Sequence, residues 1–148
     1  MFIIATDLDR TLFPNGNQPY DQSMAIFSKI VEDYKPPLIY VTGRDLQLTK
    51  DGMRQYGPPP PQYLVGEVGT KIYRYQDGTF SEDLQWIEVL RERTGGWDIG
   101  AFKESLEDFD RVRPQEKERQ NAFKLSYYID DPSDSVSLVD KISSSIEA

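Results

Sequence analysis

Histidine and cysteine are both missing from the 148 residues. Without histidine there is no Ser-His-Asp triad, no Cys-His pair and no His-ligated zinc. Without cysteine there are no disulfides and no thiolate sites, which suits a cytoplasmic protein. Acid–base or nucleophilic work must therefore come from carboxylates, Lys, Tyr or Ser/Thr. Basic residues are also short: 17 Lys and Arg face 25 Asp and Glu, for a net charge of −8. With no basic stripe visible, no nucleic-acid partner is expected. No apolar run approaches a membrane span, and the apolar start meets Asp7 too early for a signal peptide, so no membrane role is expected. What remains, at 38% hydrophobic and 12% aromatic residues, is the composition of a soluble globular chain. It is long enough to bury a core as one domain, or to hold one small domain plus part of another.

The chemistry concentrates at the start. Residues 2–5 read as a buried parallel strand that delivers Asp7 and Asp9 to its carboxyl end, with Thr11 at the next alternate position. On extended backbone both acids lean to one side, at the rim where open α/β sheets bind ligands. Two adjacent carboxylates repel one another and call for a cation or a shared proton between them. An acidic N-cap and turn would use the same residue types. A second element tips the balance toward chemistry. Pro37-Leu-Ile-Tyr-Val41 is another short apolar strand followed at once by Thr42-Gly43-Arg44. There a hydroxyl and an unshielded Gly N–H could cradle a phosphate. The net charge opposes a phosphorylated ligand unless a hard divalent cation sits on the aspartates, and Mg²⁺ suits oxygen ligands best.

Between these motifs, residues 20–34 read as a helix with Met24, Phe27, Ile30, Val31 and Tyr34 on one core-facing stripe. A weaker helical pattern spans residues 45–56 and closes at Gly57; the four prolines 58–61 form a stiff extended connector. Tyr63-Leu-Val65 starts a third strand, and residues 71–75 with 79–80 form a hairpin about Asp77-Gly78. The order β-α-β-α-β plus hairpin predicts a Rossmann-like, doubly wound α/β core over residues 1–80. From residue 81 the expectation changes to an α+β module over residues 81–148. It comprises two helices broken at Gly95-Gly96, a loop over residues 111–121 and a strand over 122–129. A last helix is capped at Asp131-Pro132, with Val136, Val139, Ile142 and Ile146 facing inward. A lone strand there must find a partner. Trp86, Trp97, Tyr127 and Tyr128 could stack on sugar, but their spacing reads first as packing.

Asp7-Leu-Asp-Arg-Thr11 resembles the first motif, Asp-x-Asp-x-Thr, of the haloacid dehalogenase superfamily of phosphatases, and Val41-Thr-Gly-Arg44 resembles its second. Glu67-Val-Gly-Thr-Lys-Ile-Tyr73 and Phe123-Lys-Leu-Ser-Tyr-Tyr-Ile-Asp130 are similar to a hairpin and a cap strand of the sucrose-phosphate phosphatase subgroup. The resemblance implies that Asp7 is the nucleophile and Asp9 the general acid/base, with both holding Mg²⁺ and Thr11 orienting the loop. It implies that Thr42, Gly43 and Arg44 bind the substrate phosphate of a sugar phosphate, and it marks Glu67 and Lys124 as candidate sugar contacts.

The family's third motif is a Lys and its fourth a Gly-Asp-x-x-x-Asp strand end. No Gly-Asp-x-x-x-Asp follows residue 80. Both the core and the cap are therefore expected to be incomplete, with a separate C-terminal segment or a second copy completing the fold. Three functions stay open: a Mg²⁺-dependent sugar-phosphate phosphatase, a non-catalytic phosphosugar-binding or regulatory domain, and a relative of phosphomannomutase or mannosyl-3-phosphoglycerate phosphatase.

Overall fold

The computed structural model describes residues 2–14, 22–95, 98–131, 133 and 135–147, with residues 146 and 147 described by backbone alone. The chain forms two compact units, Met1–Val89 and Leu90–Ala148.

In the first unit, β1 (Ile4–Asp7), α1 (Ser23–Tyr34), β2 (Leu38–Val41), α2 (Leu46–Tyr56) and β3 (Tyr63–Gly66) alternate in the order expected. A hairpin of β4 (Lys71–Gln76) and β5 (Thr79–Glu82) follows. The five strands lie in the order β1-β2-β3-β4-β5. β1, β2 and β3 are parallel, and β4 and β5 join antiparallel. This is a mixed α/β sheet with crossover helices, and the β-α-β units place the ends of β1 and β2 on one rim. The hairpin turns on Asp77 and Gly78, both at positive φ, which matches the twist of the flanking strands. Leu8, Phe13, Leu38, Tyr40, Leu64 and Tyr73 form the buried core, with Met24, Phe27, Val31, Leu46, Met53 and Tyr56 packed against it.

Several expected positions moved. The first strand begins at Ile4, and Phe2 and Ile3 are exposed. Their segment lies on the edge of the sheet, where no second neighbour covers it among the described residues. The α1 stripe is narrower than its periodicity suggests: Ile30 and Tyr34 are exposed, and Tyr34 instead meets the Phe2 ring at 6.1 Å. The helix starts at Ser23, and residues 20 and 21 lie outside the described residues. Gly57 caps α2 in the left-handed conformation as expected (φ 63°).

The second unit carries α4 (Ile99–Glu107), β6 (Val112–Pro114), β7 (Tyr127–Ile129) and α5 (Ser135–Glu147); α3 (Leu84–Thr94) runs across the boundary. The strand expected over 122–129 shrinks to its last three residues, and its partner β6 emerges from the expected loop. The cause is Gln120. Its side-chain amide accepts from Ser126 N (2.7 Å) and donates to Ser126 O and Gln115 O (2.8 and 3.0 Å). That amide stands in for a neighbouring strand, while residues 121–124 fold into a turn. Lys124 therefore sits in a turn rather than on the strand. On α5 the inward residue is Leu138, whereas Val136 and Val139 are exposed. Ile142 is half-buried. The expected inward stripe of that helix is corrected by this rotation. Of the cap, Asp131 accepts from Ser133 N at 2.9 Å; Pro132, the side chain of Ile146 and Trp97 lie outside the described residues.

Candidate active site

Asp7 ends β1 in register with Val41, and Thr42 is the next residue. The adjacency of the two parallel strands is what brings the first motif beside the second. Beyond Asp7 the chain leaves extended conformation, so strand alternation does not orient Asp9. Instead the loop turns on Arg10, a non-glycine residue in the left-handed region (φ 60°). It is pinned from below by Leu8 and Phe13, both buried, with Phe13 N donating to Leu8 O at 2.7 Å. The Thr11 hydroxyl donates to Asp7 Oδ2 at 2.9 Å, and Asp9 O lies 3.5 Å from it. This hydroxyl ties the Asp7 carboxylate to the loop that follows it.

The Asp9 carboxylate is paired with a protein side chain. Arg44 Nε donates to both Asp9 oxygens (3.0 and 2.9 Å) and Nη2 to Oδ1 (2.5 Å). That fork holds the Asp9 carboxyl below the usual carboxylate range and raises the arginine in turn. Arg44 Nη1 donates to Leu48 O in the first turn of α2 (3.1 Å), and the guanidinium lies 5.3 Å from the Phe13 ring centre. Asp45, at the α2 N-cap, accepts from Leu48 N at 2.7 Å.

The turn at Thr42-Gly43-Arg44 is held largely by backbone groups. Thr42 is buried, and its hydroxyl oxygen accepts from Arg44 N at 3.2 Å, which leaves the hydroxyl proton for an outside acceptor. Thr42 O accepts from Val68 N and Arg44 O from Glu67 N (3.3 and 2.9 Å), so the β3–β4 turn braces this one. Glu67 and Val68 both hold positive φ (52° and 60°), a strained conformation for Val, which is also exposed. The Glu67 side chain is buried, 3.6 Å from Lys71 Nζ, and Lys71 also reaches Glu82 at 3.7 Å. Glu67 thus reaches the site by its N–H, with its carboxylate turned to Lys71.

The structure gathers Asp7, Asp9, Thr11, Thr42, Gly43 and Arg44 at one rim. Lys124 belongs to the second unit. Two site residues escaped sequence reading, Phe13 and Gly52. A Cβ on Gly52 would stand 2.5 Å from Phe13 Cε2 and 2.9 Å from Arg44 Nη1. A glycine inside a helical pattern was the available signal. Among the described residues no three acids cluster as a metal cage. An Asp7 oxygen and the Asp9 carbonyl are hard donors of the type Mg²⁺ takes when waters and a phosphate complete its shell.

The sequence profile of sucrose-6F-phosphate phosphohydrolase matches residues 1–148. The chain belongs to that family. A HAD-like hydrolase of Nitrosococcus oceani is 31% identical over 147 residues, covering 99% of this chain and 40% of the relative. The solved structure of a Synechocystis sucrose-phosphatase, in complex with sucrose and phosphate, superposes with a TM-score of 0.78 at 24% identity. A haloacid dehalogenase-like hydrolase of Bacillus subtilis gives 0.58 at 18%. Both overlays cover 97% of this chain, and 54% and 55% of theirs. The fold is that of the haloacid dehalogenase superfamily, and the lineage is a phosphatase lineage. The chain spans about half the length of these solved relatives and less of the curated one. No helix among the described residues is long and apolar enough to cross a membrane.

Proposed function

We propose that this sucrose-6F-phosphate phosphohydrolase family member serves Mg²⁺-dependent hydrolysis of a sugar phosphate through an aspartyl-phosphate. An Asp7 oxygen attacks phosphorus, and the bond from phosphorus to the sugar oxygen breaks as Asp9 gives that oxygen a proton. A water then gives its proton to Asp9 and attacks the same phosphorus. The Asp7–phosphorus bond breaks, phosphate leaves, and both aspartates return to their starting state. Thr11 keeps Asp7 aimed; Thr42 and Gly43 offer O–H and N–H to the phosphoryl oxygens. Asp7 and the Asp9 carbonyl would hold Mg²⁺, which would supply charge neutralisation when bound. The observation carrying this reading is the register of Asp7 with Val41, one residue before Thr42.

In the same reading residues 1–80 serve as part of the phosphatase core and 81–148 as part of a cap. A further C-terminal segment or a second copy adds the remaining groups, and the absence of cysteine supports a cytoplasmic setting. The Arg44–Asp9 fork favours a second reading, a phosphosugar-binding domain without turnover, because a carboxylate so paired resists protonation.

The test is phosphate release from sucrose 6-phosphate with and without Mg²⁺, beside binding of the same ligand. Turnover that falls at least about 10³-fold in Asp7→Asn supports hydrolysis. Unchanged turnover in that variant overturns it; binding without turnover selects the second reading.

A further inference from the structure

We infer that Arg44 is a positioning residue for Asp9, seated by Phe13 and Gly52, and not a ligand of the substrate phosphate. The inference rests on the phosphatase reading only for the work that Asp9 does. Arginine has five N–H groups in a rigid plane. Here Nε and one Nη2 proton go to the Asp9 carboxylate, and one Nη1 proton goes to Leu48 O. The plane is fixed independently by the Phe13 ring below it, 5.3 Å from the guanidinium carbon. The third fixture is Gly52. Helix interiors disfavour glycine, yet any side chain at this position would strike the Phe13 ring and Arg44 Nη1 at once. An empty site on α2, a buried ring and a helix carbonyl therefore converge on one guanidinium, which in turn fixes a half-exposed carboxylate. A group that must serve first the leaving oxygen and then a water, in one orientation, gains most from such a mount.

The test uses the 148-residue chain and the ¹H–¹⁵N resonances of its arginine Nε groups, with Arg44 identified by its loss in Arg44→Lys. Asp9→Asn is expected to move the Arg44 Nε–H upfield to the position of exposed arginines, and Gly52→Ala to do the same. If Gly52→Ala fails to fold, Asp9→Asn carries this arm, since it leaves α2 untouched. Titration with inorganic phosphate is expected to shift the Thr42 and Gly43 amides and leave Arg44 Nε in place. An Arg44 Nε–H that follows phosphate in step with Gly43, or one unmoved by Asp9→Asn, overturns the inference. In turnover, Arg44→Lys is expected to lower kcat on a hexose phosphate about tenfold more than on p-nitrophenyl phosphate, whose phenolate leaves without a proton. Equal losses on both overturn it too. No turnover by the unaltered chain, or amides at Thr42 and Gly43 that ignore phosphate, sinks the phosphatase reading instead and leaves the Nε shifts to decide this one.

Discussion

Replacing Phe13 by Leu tests whether the loop that carries Asp9 is held from the core. Phe13 is 1% exposed, its ring centre lies 4.9 Å from that of Tyr56, and the Arg44 guanidinium stands above it. Leucine keeps the site apolar but leaves part of the ring's volume unfilled, a shape change of about 1 kcal/mol. The lost aromatic pair contributes about 1 kcal/mol and the lost cation–π contact a little under that. The expected destabilisation is about 3 kcal/mol. With a urea dependence of about 2 kcal/mol per molar, the unfolding midpoint falls by about 1.5 M. Trp86 is the reporter, because its indole donates to Gly69 O at 2.9 Å within the same unit. A Trp97→Phe background leaves it the sole indole. A midpoint that falls by less than about 0.5 M would refute the reasoning, since the shape change alone predicts that much.

Glu67→Gln removes a buried charge from the brace beneath the Thr42-Gly43 turn. Lys71 keeps Glu82 and is partly solvated, so the expected loss is about 2 kcal/mol, less than for a fully buried pair, and thermal melting measures it. The Asp9 fork also sets a pH dependence. Arg44 depresses the folded-state value of Asp9, so its contribution is present above the unfolded value, about 3.9, and is lost as pH falls through the folded one. Thermal stability of the unaltered chain should therefore drop more steeply below about pH 4 than that of Asp9→Asn, and parallel curves would contradict the pairing.

The sequence made the local devices legible. Apolar runs ending in Asp7 and Val41, the Gly57 cap and the Asp77-Gly78 turn each depend on neighbours a few residues away. Long-range partnerships were not legible. Arg44 reads as a phosphate ligand from its place after Thr42-Gly43, and only the parallel pairing of β1 with β2 brings Asp9, 35 residues away, within its reach. The same holds for Gln120, whose amide replaces a strand that the alternation of residues 122–129 suggests. α5 shows a different failure. Val136 and Val139 share helical spacing with Ile142, but the one apolar residue between them, Leu138, is what the second unit buries. Strain at Glu67 and Val68 also escaped, because neither residue type signals a positive φ.

β1, which bears Asp7, is the outermost strand of its sheet, and among the described residues β2 is its sole ladder partner. Among the described residues, the outward side of Ile4–Asp7 meets no second strand. A visiting strand aligned parallel to β1 would finish next to Asp7, delivering its terminal side chains to the candidate site. Sealing this border and furnishing additional reactive groups would then be a single event.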